Sequence, residues 1–333
     1  MLVLLGAVAL TNCGGGGGGT SSIPNPPIPT PVPGVVTEYT IPTANADSEG
    51  ITVGPDGNIW FTEFNTGRVG KVTTAGVITD MAGITASFDP WGIAVGSDGR
   101  LWFAQDMHAA GTNSIDAMTT SGTLSQYSVG TYPNSFGRHV AVGADGRMWF
   151  TDPGDNSIGA VTTAGVVSLY ALPNTLESPS GITLGPDGNI WYTCLNATST
   201  VGKITTSGTI TEYSVPTASA GMWIITSGPD GNLWATESAT DKIVKITTSG
   251  TATEYAVPTA AADPFGIAKG PDGALWFTEE FTSGKIGRIT TSGLITEFAL
   301  PANSLPVEIV AGPDGNMWFS DSGTNNAIGK ITI

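Results

Sequence analysis

Basic side chains, helical periodicity and catalytic signatures are scarce or missing in this sequence. Of its 333 residues, 12 are Lys or Arg against 28 Asp or Glu, and the formal net charge is −16. Nucleic acid is not expected as a partner, because phosphate binding requires a basic surface. No stretch carries a helical period, and no nucleophile elbow, phosphate-binding glycine loop or zinc signature occurs. These absences exclude an all-α fold. They also mean that no known sequence motif points to a catalytic activity.

One phrase dominates what the sequence does contain: Gly-x-Asp-Gly, two further residues, and then Trp. It occurs seven times at intervals of 42 to 47 residues, beginning at Gly54, Gly96, Gly143, Gly185, Gly228, Gly270 and Gly312. A period in the low forties with four short strands per unit is typical of a β-propeller. The sequence therefore predicts an all-β fold, a seven-bladed β-propeller of four-stranded blades. The repeated tryptophans should pack between neighbouring blades.

The two ends of the repeat region predict how the ring closes. The last repeat stops at Ile333 without a fourth strand, whereas residues 35–42 resemble an outer strand such as residues 211–216. We expect this N-terminal strand to complete the last blade, so that no sheet edge stays open. The propeller should then span residues 35–333.

The residues before the propeller have the composition of an export signal and a tether. Residues 1–10 are apolar but too few to span a bilayer, and residues 10–13 resemble a bacterial lipobox in which Cys13 would be lipidated. A plain secretory signal is the alternative for residues 1–13. Residues 14–34 are rich first in Gly and then in Pro, as in a linker. We expect an exported bacterial lipoprotein at the outer membrane, periplasmic or cell-surface side. It would be a monomer that meets the membrane only through its lipid, and Cys194 would then have no disulfide partner.

The register of a propeller places two rings of side chains near the mouth of the central channel. The first ring stands five residues before each repeat glycine and comprises Glu49, Trp91, Arg138, Ser180, Trp223, Phe265 and Val307. The second ring stands at the end of each second strand and comprises Glu63, Gln105, Asp152, Cys194, Glu237, Glu279 and Asp321. The mouth should therefore combine aromatic faces with carboxylates.

This combination predicts a ligand site for a small polar or cationic molecule, a glycan or a peptide. The residues that would stack on or contact the ligand are Trp91, Trp223, Phe265, Arg138 and Glu49. Those that would supply charge are Glu63, Asp152, Glu237, Glu279 and Asp321. Oxygen ligands for Mg²⁺ or Ca²⁺ could come from Asp89, Asp263, Glu279 and Asp321. In the alternative interpretation the aromatic side chains plug the channel, the carboxylates are solvated, and the protein is structural.

The two histidines form a weaker candidate for chemistry. His108 lies in the longest loop of the second blade, two residues after Asp106, and His139 follows Arg138 at the start of the third blade. A pair of histidines on one face could act as general acid and base or bind a metal. Their spacing matches no ligand signature, so two ordinary loop histidines are the competing interpretation.

Three phrases of the sixth repeat are similar to a known family. Residues 270–279 read Gly-Pro-Asp-Gly-Ala-Leu-Trp-Phe-Thr-Glu, residues 286–293 read Ile-Gly-Arg-Ile-Thr-Thr-Ser-Gly, and residues 295–301 read Ile-Thr-Glu-Phe-Ala-Leu-Pro. These phrases resemble the virginiamycin B lyase family, and the resemblance covers roughly residues 35–333. It implies a seven-bladed propeller that opens the ring of streptogramin B antibiotics by elimination, with Mg²⁺.

The catalytic side chains that the resemblance implies are not present at the matching positions. The family has a Tyr in the first blade, a His in the sixth, and a Glu, a second His and a further Glu in the seventh. In this sequence those positions read Glu49, Phe265, Leu305, Val307 and Ser322, with Asp321 next to the last. An elimination needs a base for the substrate proton and an acid or metal for the leaving oxygen, and Phe265 and Val307 can supply neither. The sequence thus predicts a binding module, with a metal-dependent C–O lyase of the streptogramin type, or a related hydrolase, as the alternative.

Overall fold

Seven four-stranded antiparallel sheets, one for each repeat, make up the described part of the chain. The computed structural model describes residues 33–81, 89–106, 113–130, 138–174, 177–196, 199–280 and 284–333. These residues form 28 strands and two single-turn 3₁₀ helices, Phe64–Thr66 and Ser238–Thr240. The predicted seven-bladed propeller is confirmed. No helix in these ranges is long and apolar enough to cross a membrane.

The strands follow one another in order from the channel outward within each of the first six blades. The chain begins with β1 (Val36–Thr40). Blade 1 contains β2 (Ser48–Val53), β3 (Ile59–Glu63), β4 (Arg68–Val72) and β5 (Ile78–Met81). Blade 2 contains β6 (Asp89–Val95), β7 (Leu101–Asp106), β8 (Asn113–Met118) and β9 (Leu124–Gly130). Blade 3 contains β10 (Val140–Val142), β11 (Met148–Asp152), β12 (Ser157–Val161) and β13 (Val167–Ala171). Blade 4 contains β14 (Pro179–Leu184), β15 (Ile190–Cys194), β16 (Thr200–Ile204) and β17 (Ile210–Ser214).

Blades 5 to 7 continue the same pattern around the ring. Blade 5 contains β18 (Met222–Ser227), β19 (Leu233–Glu237), β20 (Lys242–Ile246) and β21 (Ala252–Ala256). Blade 6 contains β22 (Pro264–Lys269), β23 (Leu275–Glu279), β24 (Lys285–Ile289) and β25 (Ile295–Ala299). Blade 7 contains β26 (Pro306–Ala311), β27 (Met317–Asp321) and β28 (Ala327–Ile331), and β1 supplies its fourth strand.

Ring closure by the N-terminal strand is confirmed. Strand β1 pairs antiparallel with β28 over five residues, from Val36 opposite Ile331 to Thr40 opposite Ala327. The ring of Tyr39 on β1 stacks on Trp318 of blade 7 with 5.6 Å between the centroids. The two ends of the propeller are therefore held in one sheet, which leaves blade 7 with the same outer edge as the others.

The repeated tryptophans pack between blades, as the sequence predicts. All seven are at most 1% exposed. Trp60 of blade 1, for example, packs with Ile93 and Leu101 of blade 2. Its indole N–H donates to Asp56 Oδ1 in the repeat turn at 2.8 Å. One phrase of the repeat thus supplies both the turn and the side chain that joins the blade to the next.

A hydroxyl in six of the seven second strands fixes the first ring against the neighbouring blade, and blade 2 has Ala104 at this position. Thr62 Oγ1 accepts from Gly50 N at 2.9 Å and donates to the carbonyl of Trp91 in blade 2 at 2.7 Å. The last such bond closes the ring, because Ser320 Oγ of blade 7 donates to Glu49 O of blade 1 at 2.5 Å. With their backbone held to the next blade, the first-ring residues have a fixed position at the mouth.

Candidate functional site

Aromatic side chains and one arginine form a continuous arch at the channel mouth, which we call the aromatic arch (Trp91, Arg138, Trp223 and Phe265). The guanidinium carbon of Arg138 lies 5.4 Å from the ring centroid of Trp91 and 5.2 Å from that of Trp223. Trp223 in turn contacts Phe265 with 4.6 Å between centroids. Phe64 packs edge-on against Trp91 with 5.0 Å between the ring centroids. The arch joins side chains from blades 2, 3, 5 and 6, and both indoles keep part of their surface exposed.

Carboxylates from blades 1 and 6 form a second group at the mouth, which we call the acidic rim (Asp47, Glu49, Asp263 and Glu280). Burial raises the pKa of Glu49 well above its ordinary value, and the charges of Asp47 and Glu280 add to this, while Arg138 opposes it. Burial, with Asp263 and Asp47 nearby, raises the pKa of Glu280 to about 7. The rim therefore holds several carboxyl groups close enough to influence one another, and Glu280 exchanges its proton near neutral pH.

Below the mouth, the residue after each first-ring position faces its neighbours at the narrowest approach of the blades. These positions read Gly50, Gly92, His139, Gly181, Ile224, Gly266 and Glu308. A Cβ at Gly50 would lie 2.5 Å from the carbonyl oxygen of Trp91, so there is no space for a side chain at that point. His139 and Glu308 are the two polar exceptions in this ring.

His139 and Glu308 meet across the channel although they come from blades 3 and 7. His139 Nε2 lies 2.9 Å from Glu308 Oε1, without the alignment of a hydrogen bond. Glu308 Oε2 accepts from Ile51 N at 3.1 Å, and His139 Nδ1 is 3.0 Å from the carbonyl of Ser180, to which it can only donate. The pair lines a cavity of about 120 Å³ whose other walls are mainly isoleucine and valine. It thus connects opposite sides of the ring directly below the arch.

The carboxyl groups of the second ring are buried, whereas the sequence analysis expects them to supply charge at the mouth. Glu63, Glu237, Glu279 and Asp321 are 0% exposed and Asp152 is 1% exposed, so they do not stand as solvated charges at the mouth. The reason is strand alternation: Glu63 points to the same side of its strand as Phe61 two residues before, which packs between blades. Their role in ligand binding stays a prediction.

Three of these carboxyl groups accept hydrogen bonds from residues of their own blade. Thr66 donates to Glu63, Thr240 donates to Glu237, and Asp321 Oδ1 accepts from two backbone amides. Burial raises the pKa to about 7 for Glu63, Glu237 and Glu279. The other second-ring positions are also internal: Gln105 donates to Asp116, and the thiol of Cys194 lies 3.9 Å from Glu177.

The candidate metal ligands are not brought together. Asp89 lies on blade 2, Asp263 and Glu279 on blade 6, and Asp321 on blade 7. In the ranges that the structure describes, no group of three or more His, Cys, Asp or Glu side chains is placed to hold a metal ion. The described residues therefore form no cage for the Mg²⁺ that the family resemblance implies, and we derive no step through a metal.

The structure describes only one of the two histidines, so their role as a pair stays a prediction. His108 lies outside the described residues, and only the backbone of Asp106 is described, opposite Asp89. His139 pairs with Glu308, which sequence reasoning did not select. The sequence did carry a signal for this pair. His139 and Glu308 stand at a repeat position where four of the other five blades have glycine. Sequence reasoning also missed Glu280, because it placed Glu279, the last residue of β23, in the second ring and did not consider the residue after it.

Comparison with known proteins identifies the family. The family model described as "Virginiamycin B lyase family" matches residues 30–223 and 198–333. The chain belongs to the virginiamycin B lyase family. Among solved structures, a streptogramin B lyase is 33% identical at a TM-score of 0.82, covering 90% of this chain and 97% of that one. Virginiamycin B lyase from Staphylococcus aureus is 34% identical at a TM-score of 0.82, covering 90% and 99%. A catalytically inactive His-to-Ala variant of the latter, with quinupristin, matches equally well. No curated protein matches the chain.

Apolar side chains stand at the two positions where the family resemblance implies histidines. Phe265 is 5% exposed and packs on Trp223, and Val307 is 2% exposed. Neither side chain can transfer a proton. The backbone carbonyls of Phe265 and Val307 accept hydrogen bonds from Thr236 and Thr278 of the preceding blades.

Proposed function

We propose that this member of the virginiamycin B lyase family binds a small organic cation with a flat apolar body at its channel mouth. The observation that carries the proposal is the position of two partly exposed indoles, Trp91 and Trp223, beside the carboxylates of Glu49 and Glu280. An aromatic face attracts a cation through its quadrupole and covers an apolar surface at the same time. A bound cation would favour the ionised form of these carboxyl groups, which would then orient its charge.

The distribution of charge over the molecule supports a cationic ligand. The seven aspartates of the repeat turns lie on the face opposite the mouth, and each forms a salt bridge shorter than 4 Å with a Lys or Arg. The pairs are Asp56 with Lys71, Asp98 with Arg100, Asp145 with Arg147, Asp187 with Lys203, Asp230 with Lys245, Asp272 with Arg288 and Asp314 with Lys330. These pairs use seven of the 12 basic residues. The excess of negative charge is therefore carried by the rest of the molecule, which includes the mouth, and would attract cations to it.

We also propose that the protein is exported and anchored through a lipid on Cys13. The support is the lipobox-like sequence at residues 10–13 and the Gly/Pro-rich residues 14–34. Mass spectrometry of the protein from bacterial membranes should find a diacylglyceryl group on Cys13, and Cys13→Ser should release the protein into the soluble fraction. A Cys13 recovered unmodified from cells would contradict the anchor.

The binding proposal is tested by removing both indoles. Trp91→Ala combined with Trp223→Ala should lower affinity at least tenfold for whichever organic cation, glycan or peptide binds best in an array screen. Calorimetric titration gives the affinity, and circular dichroism checks the fold. Val166→Ala with Leu294→Ala is the matched control, because both side chains are more than 60% exposed and remote from the repeat's mouth positions. Unchanged affinity in the double Trp variant would contradict the site.

A lyase of the streptogramin type is the second candidate, because the family and the relatives of known structure carry that activity in their names. Glu280 is the one rim carboxyl with a pKa of about 7 that could accept a substrate proton. A ring-opening assay with quinupristin, run with Mg²⁺ and with chelator, decides between the candidates. Turnover that is lost on chelation and in Glu280→Gln would establish the lyase, whereas binding without turnover would leave the binding module.

A further inference from the structure

We infer that the channel below the mouth contains a second binding site, in which His139 and Glu308 bind the charged end of a short primary alkylammonium ion. We call it the channel site (His139, Glu308 and the cavity of about 120 Å³ that they line). Among the described residues, none of the aromatic arch or of the acidic rim lines this cavity. The inference is therefore independent of the ligand proposed for the mouth.

The ring of His139 is buried, and only one of its nitrogens has a hydrogen-bond partner. Nδ1 donates to the carbonyl oxygen of Ser180 at 3.0 Å, so Nε2 is an acceptor when the ring is neutral. His139 is 6% exposed, and Nε2 forms no hydrogen bond with any described residue. The ring packs directly on Gly92, where a Cβ would lie only 2.9 Å from its Cδ2. A buried acceptor without a donor costs free energy, so a ligand that donates to Nε2 is favoured.

The carboxyl group of Glu308 supplies a second acceptor beside the first. Its Oε2 is held by the backbone N–H of Ile51 at 3.1 Å, and its Oε1 lies 2.9 Å from His139 Nε2. A hydrogen on Nε2 would not point at Oε1, because the two atoms lack the alignment of a hydrogen bond. A separate donor beside them, at the third corner of a triangle, can reach both atoms. The charge of the carboxylate favours a cationic donor over a neutral one.

The walls of the cavity determine what the cation carries. Beyond the two polar residues and Gly92, the lining consists of Ile93, Val140, Ile182, Ile224, Ile267 and Ile309. These side chains offer no hydrogen bond to a polar tail but pack well on an alkyl chain. An apolar cavity of about 150 Å³ holds benzene, so one of about 120 Å³ has space for about four or five non-hydrogen atoms.

A primary alkylammonium ion fits these requirements together. It has three N–H donors, of which two can reach His139 Nε2 and Glu308 Oε1 while the third binds water. A quaternary ammonium ion has the charge but no N–H, and an alcohol has a single donor and no charge. n-Propylammonium, with four non-hydrogen atoms, has the size of the cavity.

The test is a titration of the full chain with n-propylammonium at pH 8, where imidazole is ordinarily neutral, in buffer with EDTA. Calorimetry gives the affinity, and nitrogen NMR of the two histidine rings shows where the ligand binds. We expect a dissociation constant of about 1 mM, since so few atoms limit the affinity. The signal of His139 Nε2 should shift more than that of Nδ1. Tetramethylammonium and n-propanol should each bind at least tenfold more weakly.

Two variants test the two ends of the channel site separately. Glu308→Gln should weaken n-propylammonium binding at least tenfold, because the amide is uncharged and its NH₂ group can donate to Nε2 in place of the ligand. Val140→Ile adds one methylene to the cavity wall and copies the residue at this position in the other six blades. It should weaken n-propylammonium at least threefold and leave methylammonium unchanged, because it obstructs the chain and not the charged end.

The controls separate the channel site from the mouth and from a general effect of lost charge. Glu38→Gln makes the same substitution on β1, at the outer edge of blade 7, and should keep the wild-type affinity. Thermal melts establish that each variant is folded. A His139 Nε2 signal that does not respond to saturating n-propylammonium would overturn the channel site. Binding that is lost in the double Trp91→Ala, Trp223→Ala variant but kept in Glu308→Gln would also overturn it, and would leave the proposed function of the mouth intact.

Discussion

At the scale of single residues, the least expected feature is that some buried carboxyl groups have a raised pKa while neighbouring carboxyl groups have a lowered one. In blade 6, Glu279 is 0% exposed, and neither of its oxygens has a hydrogen-bond partner among the described residues. Burial raises its pKa to about 7. Burial also acts on Glu297, but hydrogen bonds from Lys285 and Thr259 outweigh it and lower the pKa of Glu297. One blade thus contains an acid that prefers to be neutral and one that prefers to be charged.

This contrast predicts that Glu279→Gln stabilises the protein at alkaline pH. A carboxyl whose pKa is higher in the folded than in the unfolded state takes up a proton on folding, so its contribution to stability is lost as pH rises from about 4.5 to about 7. Glutamine imitates the neutral acid at every pH. The variant should therefore be more stable than the wild type by about 1–3 kcal/mol at pH 8 and nearly equal at pH 4, in denaturant titrations.

Glu297→Gln is the matched control for that experiment. Because the pKa of Glu297 is lowered by its partners, the charged form stabilises the fold at pH 8, and its neutral replacement should destabilise the protein there. The same substitution at two positions of one blade would then act with opposite sign. If both variants lost stability at pH 8, the burial account of Glu279 would be wrong.

At the scale of strands and blades, the sequence was sufficient for most of the architecture but not for the side chains at strand ends. The repeat phrase determines turn, second strand and interblade tryptophan together, so blade number, strand order and closure by β1 follow from its spacing. The sequence predicts correctly how far along its strand Glu63 lies, and the same holds for its equivalents in the other blades, so they were expected at the mouth. The side of the strand on which they are buried depends on how blades pack.

Closure by β1 predicts a large effect for the deletion of residues 35–42. The deletion removes the five-residue ladder with β28, the stack of Tyr39 on Trp318 and the buried side chain of Ile41. We expect Tm to fall by about 10 °C or more, since about 1 kcal/mol corresponds to a few degrees for a chain of this size. Deletion of residues 14–31 is the control and should leave Tm within about 2 °C. An unchanged Tm after loss of 35–42 would show that the ring does not need this strand.

At the scale of the whole molecule, the contacts between blades that are not neighbours could not be predicted from the sequence. His139 and Glu308 are on blades 3 and 7, and Trp91 and Trp223 are on blades 2 and 5. Their contacts exist only once seven blades have closed, because closure determines which first-ring residues face each other. Aromatic and acidic residues at the mouth could be predicted by counting from the repeat glycine. Their separation into the aromatic arch and the acidic rim could not.

The same carboxyl groups predict how stability of the whole protein depends on pH. Five glutamates have a pKa raised to about 7 by burial, and Asp116 has one of about 6; the glutamates are Glu63, Glu212, Glu237, Glu279 and Glu280. Their favourable contribution is complete below about pH 4.5 and is lost as pH rises to about 7. The seven turn aspartates have lowered pKa values, since hydrogen bonds from Trp and from the turn, with nearby cations, outweigh burial. Their contribution is lost only as pH falls below about 3.8.

Both groups together place the maximum of stability on the acid side of neutrality. Thermal melts from pH 3 to pH 9 should give the highest Tm at about pH 4–5, with a fall toward pH 8 and a second fall below about pH 3.5. Glu237→Gln combined with Glu279→Gln should flatten the alkaline limb and leave the acid limb unchanged, because the turn aspartates are untouched. A Tm that rises steadily from pH 5 to pH 8 in the wild type would contradict proton uptake on folding. In that case the buried carboxyl groups must be satisfied as anions by groups that respond to their charge.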